Sequence, residues 1–401
     1  MLERVSLMYN PHLKSRQSSL PAGNALSMKN PIRVAWDNSL ARRNLTGTGV
    51  YAARLLECLA KEPDLALESF TGWPNTTRGG GILRRTFQAA GSMAWVHLDL
   101  PTRLWMGGFD LLHAPAFIAP IASPCPVVIT IHDITYLLYP SHFSNWWIRY
   151  MKSVVPITVK SAAAIICGSE HSKRDIVKAY ALPDSKVHVV PYGVDHQRFH
   201  PAAVLDCSWA RQLGIRKGYV LHVGELSQRK NIPTLLRAVA YLRARAKWGD
   251  RQLVLAGTES PGMRGADEIH ETIRQLELST SVILAGRVAD ENLPGLYATA
   301  SLLVMPSLYE GFGFPVLESM AAGTPVVASN ISSLPEVAGE AAILVSPHEV
   351  EELANAIADV LFDPGVAAEL RSKGLARAQQ FNWHRTAAET TQVYRSVVGQ
   401  R

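Results

Sequence analysis

Residues 301–329 read SLLVMPSLYEGFGFPVLESMAAGTPVVAS. The uncharged run SLLVMPS (301–307) has the length and composition of a buried strand. VLESMAAG (316–323) is helical in pattern and TPVVAS (324–329) returns to strand, so the segment is one β–loop–α–β unit. Gly311 and Gly313 in the loop let the backbone approach a ligand, and the helix amides behind Pro315 can face an anion, an arrangement suited to phosphate. Two carboxylates bracket it: Glu310 in the loop and Glu318 in the first helical turn. Carboxylates placed there can accept from ribose or sugar hydroxyls. A simpler reading makes Glu318 a complement to the helix dipole and Glu310 a solvated loop residue. It explains two isolated glutamates, but not their register with the glycines, strand and helix.

The same grammar extends in both directions. GYVLHVG (218–224), QLVLAG (252–257), SVILAG (281–286) and AILVS (342–346) read as strands, separated by helical stretches such as IPTLLRAVAYLRARA (232–246) and VEELANAIADVLFD (350–363). Earlier, IRVAWD (32–37), DLLHA (110–114), VVITIHD (127–133), AAIICGS (163–169) and KVHVVPYGVD (186–195) read as strands, with helices over 50–61 and 145–160. Strands alternating with helices predict parallel sheets, here as two doubly wound α/β domains joined by the connector 196–217. Ligands of such domains gather at the carboxyl ends of the strands, in the cleft between them.

VGELSQRKNIPTLLRA (223–238) ends a strand at Gly224 and delivers Arg229 and Lys230 to the top of the sheet. Two cations near a helix start oppose its dipole unless an anion sits between them, so they suit a leaving diphosphate better than a bare surface. TGTG (46–49) places Gly47 and Gly49 between a strand and a helix, a weak signal by itself, and His132 and Asp133 end a strand facing the cleft. The chain contains no D-x-D, H-E-x-x-H, G-x-x-x-x-G-K-[ST] or G-x-S-x-G, so metal-bridged phosphate, P-loop and serine-elbow chemistry lose support. A dehydrogenase fingerprint fits poorly, the glycine pair after the first strand being TGTGVYA.

Composition sets the outer bounds. The 401 residues are 47% hydrophobic and 18% charged, as in a globular protein of about two domains. The net charge of +6 is uneven, +8 through residue 200 and −2 beyond it. This balance is too mild to argue for a nucleic-acid partner. Cys58, Cys125, Cys167 and Cys207 are scattered, which predicts reduced core thiols, not a disulfide framework or zinc site. Prolines 115, 120, 124 and 126 break the longest apolar stretch, and residues 1–30 lack a secretory core, so a cytoplasmic protein is expected, with Met28 a second candidate start.

These motifs together resemble the retaining GT-B glycosyltransferases of glycosyltransferase family 4, users of nucleotide-sugar donors. EGFGFPVLE (310–318) is similar to the family's paired-glutamate motif and GELSQRKN (224–231) to its diphosphate loop. TGTGVY (46–51), HDITYLLYP (132–140), VVPYGVD (189–195), LAGRV (284–288) and FNW (381–383) match as well, so the likeness runs from about 32 to 398. It implies an N-terminal extension over 1–30, an acceptor-binding Rossmann-like domain over 31–200 and a nucleotide-sugar-binding one over 201–383. A C-terminal helix over 384–401 would cross back to the first domain.

By that resemblance Glu318 would hold the ribose and the amides of Val316 and Leu317 the diphosphate, with Gly224, Gly313 and Phe314 lining the donor pocket and Val288 contacting the base. Gly49 would contact phosphate across the cleft. Glu310, binding sugar hydroxyls, would form the catalytic set with His132, Arg229 and Lys230. Transfer would retain configuration, with no metal and no cofactor beyond the donor. One departure stands out: an Arg that some members carry directly after the first glycine of the diphosphate loop is Glu225 here. The segment SNWWIRYMK (144–152) in the basic half suggests an anionic membrane surface and a polyprenyl-diphosphate-linked or other glycan acceptor. The first-domain motifs look most like mannosyltransferases of surface polysaccharides, making GDP-mannose the first donor. A UDP-sugar transferase, a nucleotide-sugar epimerase or phosphorylase of related fold, and a non-catalytic polyanion binder remain alternatives.

Overall fold

The computed structural model describes residues 30–39, 47–72, 91–143, 145–258 and 265–399. The expected extension up to residue 29, with Met28, lies outside them, as do Thr46, Ser144 and residues 400–401. Among the described residues two six-stranded sheets form, and every strand pairing is parallel. The first comprises β1 (Ile32–Asp37), β2 (Leu65–Phe70), β3 (Leu111–Ala114), β4 (Val127–Thr130), β5 (Ala164–Cys167) and β6 (Val187–Val189) in the order β2-β1-β3-β4-β5-β6. The second comprises β7 (Val220–Val223), β8 (Leu253–Ala256), β9 (Val282–Gly286), β10 (Leu302–Met305), β11 (Val326–Ser329) and β12 (Ile343–Val345) in the order β12-β11-β10-β7-β8-β9. Helices cover both faces, so the central strands β3, β4, β5, β8, β10 and β11 are buried at every residue.

The strand order fixes where chemistry can occur. In the second sheet the chain advances from β7 through β8 to β9, then returns to the other side of β7 as β10. The connections therefore diverge between β7 and β10 and open a crevice above their carboxyl ends. The loops 224–231 and 306–313 leave from those two ends, which brings Arg229 and Lys230 beside Glu310.

The sequence reading and the structure differ in several elements. Gly47, Thr48 and Gly49 are not a loop but the first turn of the helix Gly47–Leu59, where glycine is tolerated at a helix start. Strand β6 stops at Val189, because Pro191 has no amide for the ladder. The helices Glu170–Tyr180 and Pro364–Ala378 and the edge strand β2 were not read from the sequence. In the helix Asn145–Ser161 the two tryptophans part company. Trp147 stacks on Phe143 at 5.0 Å against the core, while Trp146 is 57% exposed and stacks on Tyr150. Among the described residues no helix is long and apolar enough to cross a membrane, and Cys58, Cys125 and Cys167 are buried and in no disulfide.

The final helix, Trp383–Gly399, packs on Gly47–Leu59 of the first domain. Its start is zipped to the stretch that follows β6: Thr386 Oγ1 donates to Pro191 O at 2.8 Å, and a Cβ on Gly193 would lie 2.3 Å from Trp383 N. The helix is seated through a buried relay in which His113 bonds Tyr394 Oη on one side and Thr130 Oγ1 (2.8 Å) on the other. Thr130 in turn meets Tyr51 Oη at 3.0 Å. The VVPYGVD and FNW stretches thus lie side by side.

Candidate active site

Three charged side chains meet where β7 and β10 end. Lys230 Nζ donates to Glu310 Oε1 at 2.6 Å, and Arg229 Nη1 donates to Glu310 Oε2 at 2.9 Å and to Tyr309 O at 2.6 Å. The loop geometry follows from its residues. Gln228–Lys230 form a 3-10 turn closed by Asn231 in the left-handed region (φ 53°), and the Asn231 amide ties it to Pro306 O (3.1 Å) and Pro347 O (2.7 Å). Gly224 leaves room for the lysine stem, since a Cβ there would lie 2.9 Å from Lys230 Cε.

Burial alone would raise the Glu310 carboxyl, but Lys230 and then Arg229 prevail and hold it down to about 2. Burial also pulls Lys230 below its ordinary value, with Glu310 opposing that pull. The charge of Glu310 is the firmly fixed one, since two cations share it. The cluster retains one net positive charge. The resemblance gave these residues separate roles, with Glu310 on the sugar and the cations on phosphate; the structure makes them one unit, so the cations that would meet a diphosphate also orient the carboxylate.

The helix Phe314–Ala321 opens at Gly313, whose φ of 111° favours glycine. The Gly313 carbonyl accepts from both Val316 N (3.1 Å) and Leu317 N (3.3 Å), so the two amides expected to face a diphosphate share an acceptor within the helix start. The Phe314 ring stacks with Tyr192 (5.6 Å) and Trp383 (6.2 Å), and a Cβ on Gly47 would lie 3.2 Å from it. Glu318 is half-buried and accepts from Tyr297 Oη at 2.9 Å, and burial pushes its carboxyl up to about 7. Val288 follows the edge strand β9 at the same end of the sheet.

From the first domain, His132 follows β4. Its Nε2 lies 3.3 Å from Pro115 O, which can only accept, so Nδ1 accepts from Tyr192 Oη at 2.8 Å. Burial lowers its pKa to about 4, which leaves the imidazole neutral at pH 7. Gly49 sits in the first turn of Gly47–Leu59. Among the described residues no cluster of three His, Cys, Asp or Glu stands where it could ligate a metal.

Several participants escaped the sequence reading. Tyr297 and Tyr192 hold Glu318 and His132, and a serine-rich stretch after β11 holds Glu310: Ser332 Oγ accepts from Glu310 N at 3.1 Å and Ser333 Oγ donates to Glu310 O at 2.8 Å. The run SNISSLPE (329–336), polar residues between a strand and Leu-Pro, was the available signal.

Two doubly wound domains that meet over such a crevice, with the cation pair on one loop and a glycine-opened helix beside it, define the GT-B class of glycosyltransferases. The chain belongs to glycosyltransferase family 4: residues 45–198 match the model "Glycosyltransferase Family 4" and 208–377 match "Glycosyl transferases group 1". It is 32% identical to the O-antigen chain mannosyltransferase B of Escherichia coli over 71% of this chain and 74% of that protein. It is 34% identical to the MMP alpha-(1->4)-mannosyltransferase of Mycolicibacterium hassiacum over 64% and 61%. The fold is similar to sucrose-phosphate synthase from Thermosynechococcus elongatus, with a TM-score of 0.70 at 22% identity over 92% of this chain and all of that one. It is also similar to Anabaena HepE in complex with UDP and glucose, with a TM-score of 0.67 at 22% identity over 91% and 100%. The protein is a glycosyltransferase.

Proposed function

We propose that this enzyme transfers mannose from GDP-mannose, with retention and without a metal, to a glycan or polyprenyl-diphosphate-linked oligosaccharide in surface polysaccharide assembly. The observation that carries the reading is the Arg229–Glu310–Lys230 cluster at the strand reversal of the second sheet. Fixed cations there can take up the charge of a departing diphosphate in place of a metal. Glu310, kept ionised by them, is an acceptor for sugar hydroxyls, and Glu318 is an acceptor for ribose hydroxyls. His132 is neutral, and its one N–H, on Nε2, would reach the sugar from the opposite wall by exchanging the Pro115 carbonyl for a sugar hydroxyl. The acceptor hydroxyl attacks the anomeric carbon on the face the diphosphate leaves, passing its proton to the departing oxygen. Mannose is supported by the two mannosyltransferase relatives, and polysaccharide assembly by the O-antigen enzyme.

A UDP-sugar donor is the second reading, favoured by the UDP complex of HepE. Exposed Trp146 on the basic half supports work at an anionic membrane surface on its cytoplasmic face.

The test is calorimetric titration of GDP, UDP and ADP into wild type and Glu318→Ala with chelator throughout, paired with transfer assays. GDP binding that weakens at least tenfold in the variant is expected. Selective UDP binding would replace the donor, a strict need for a divalent ion would refute metal independence, and donor turnover without acceptor would point to an epimerase.

A further inference from the structure

The loop that carries Glu310 is held from both domains. On its own side, Glu310 is fixed by Ser332, Ser333 and the two cations. Its two neighbours cross the crevice. Tyr309 Oη donates to Asp175 Oδ2 at 2.7 Å, and the Gly311 carbonyl lies 3.0 Å from both Ser169 Oγ and Ser172 Oγ. All three partners belong to the N-terminal half of the first-domain helix Glu170–Tyr180 and its N-cap, Ser169.

The first amides of that helix complete the junction. Glu170 N and His171 N donate to the two carboxylate oxygens of Glu336, each at 2.7 Å, and Glu336 lies on the second-domain helix Leu334–Ala338 that follows Ser333. A helix start would otherwise leave these donors to water. A carboxylate from the other domain satisfies them with charge-assisted bonds at the positive end of the dipole. Gly311 allows the approach. A Cβ there would lie 2.3 Å from His132 O and 2.9 Å from Asp133 Cβ, so no other residue fits at this spacing.

We propose that the helix Glu170–Tyr180 is the positioning device for Glu310: Ser172 and Asp175 grip the residues on either side of it and set the carboxylate loop against the His132 backbone as the crevice closes. The inference rests on the reading of Glu310 as the sugar-binding carboxylate. Ser172 and Asp175 are positioning residues, since they reach Glu310 only through its neighbours Gly311 and Tyr309. Glu336 aligns the helix that carries them.

Three variants test it in the full chain: Ser172→Ala, Asp175→Ala and Ser172→Thr. The first two are expected to lower kcat about tenfold, the equivalent of one lost hydrogen bond, with the GDP dissociation constant unchanged within twofold. Ser172→Thr, which keeps the hydroxyl, restores most of kcat. Tyr309→Phe and Asp175→Ala remove the same bond, so their double variant should lose no more than Asp175→Ala alone. Additive losses, or kcat within twofold of wild type in folded variants, would overturn the proposal.

Hydrogen exchange reads the junction without turnover. Ser172→Ala should raise exchange at 170–172 and 309–313 together, and an effect confined to one segment would overturn the coupling. If wild type transfers no sugar yet exchange rises in both segments, the functional reading fails while the junction stands.

Discussion

Glu310→Gln separates the structural from the chemical work of the charged cluster. The variant keeps the shape of the side chain but leaves Lys230 and Arg229 buried side by side without their carboxylate. The interval between about 2 in the folded protein and the ordinary value of 4.5 corresponds to about 3 kcal/mol of stabilisation at neutral pH. Breaking one partner of a buried ion pair costs about 3 to 5 kcal/mol, so the two routes agree. The folded value lies below the unfolded one, so this stability is present above the unfolded value and is lost as pH falls toward 2. About 1 kcal/mol of it should be gone by pH 4. Urea unfolding of wild type and variant at pH 7 and pH 4 should therefore show a deficit of about 3 kcal/mol that narrows at the lower pH. In parallel, sugar transfer should collapse while GDP binding tightens, because both cations become free for phosphate, the reverse of the effect expected for Glu318→Ala. A variant as stable as wild type at pH 7, or a deficit equal at both pH values, would refute the account of the cluster.

Glu318→Gln should act in the opposite sense on stability. Burial holds this carboxyl near 7, above its unfolded value, so the stability it contributes is complete at low pH and lost as pH rises toward 7. The variant should match wild type near pH 4.5 and exceed it by up to about 3 kcal/mol at pH 8, while binding nucleotide more weakly; equal pH profiles in thermal unfolding would contradict this. Gly193→Ala sets a Cβ 2.3 Å from Trp383 N and 2.5 Å from Asn382 C, both backbone atoms. A cost of about 1 to 3 kcal/mol is expected as the crossing helix shifts, and an unchanged unfolding midpoint would show that the stretch after β6 yields freely.

Both sheets were legible in the sequence because parallel strands buried on both faces become continuous apolar runs, as in LLVM of β10 and VVIT of β4. The edge strand β2, LALESF, has one side open to water, and its mixed composition hid it. The helix Glu170–Tyr180 escaped as well, its polar sequence EHSKRDIVKAY giving a weak signal. That omission also concealed the junction with Glu336, since Ser172 and Glu336 are 164 positions apart in the chain.

By itself the sequence determined the local grammar: which loops carry glycine, which carry fixed charge, and that each stands between a strand and a helix. Such features depend on neighbours a few residues away, so spacing alone exposes them. Only the tertiary structure decided that Arg229 and Lys230 close on Glu310, that Tyr297 holds Glu318 and Tyr192 holds His132, and that Gly311 meets His132. Those contacts join residues 21 to 179 positions apart. The order of strands in the sheets and the closure of one domain on the other bring such residues together, and the pKa of each group is set by the burial and the partners that folding supplies.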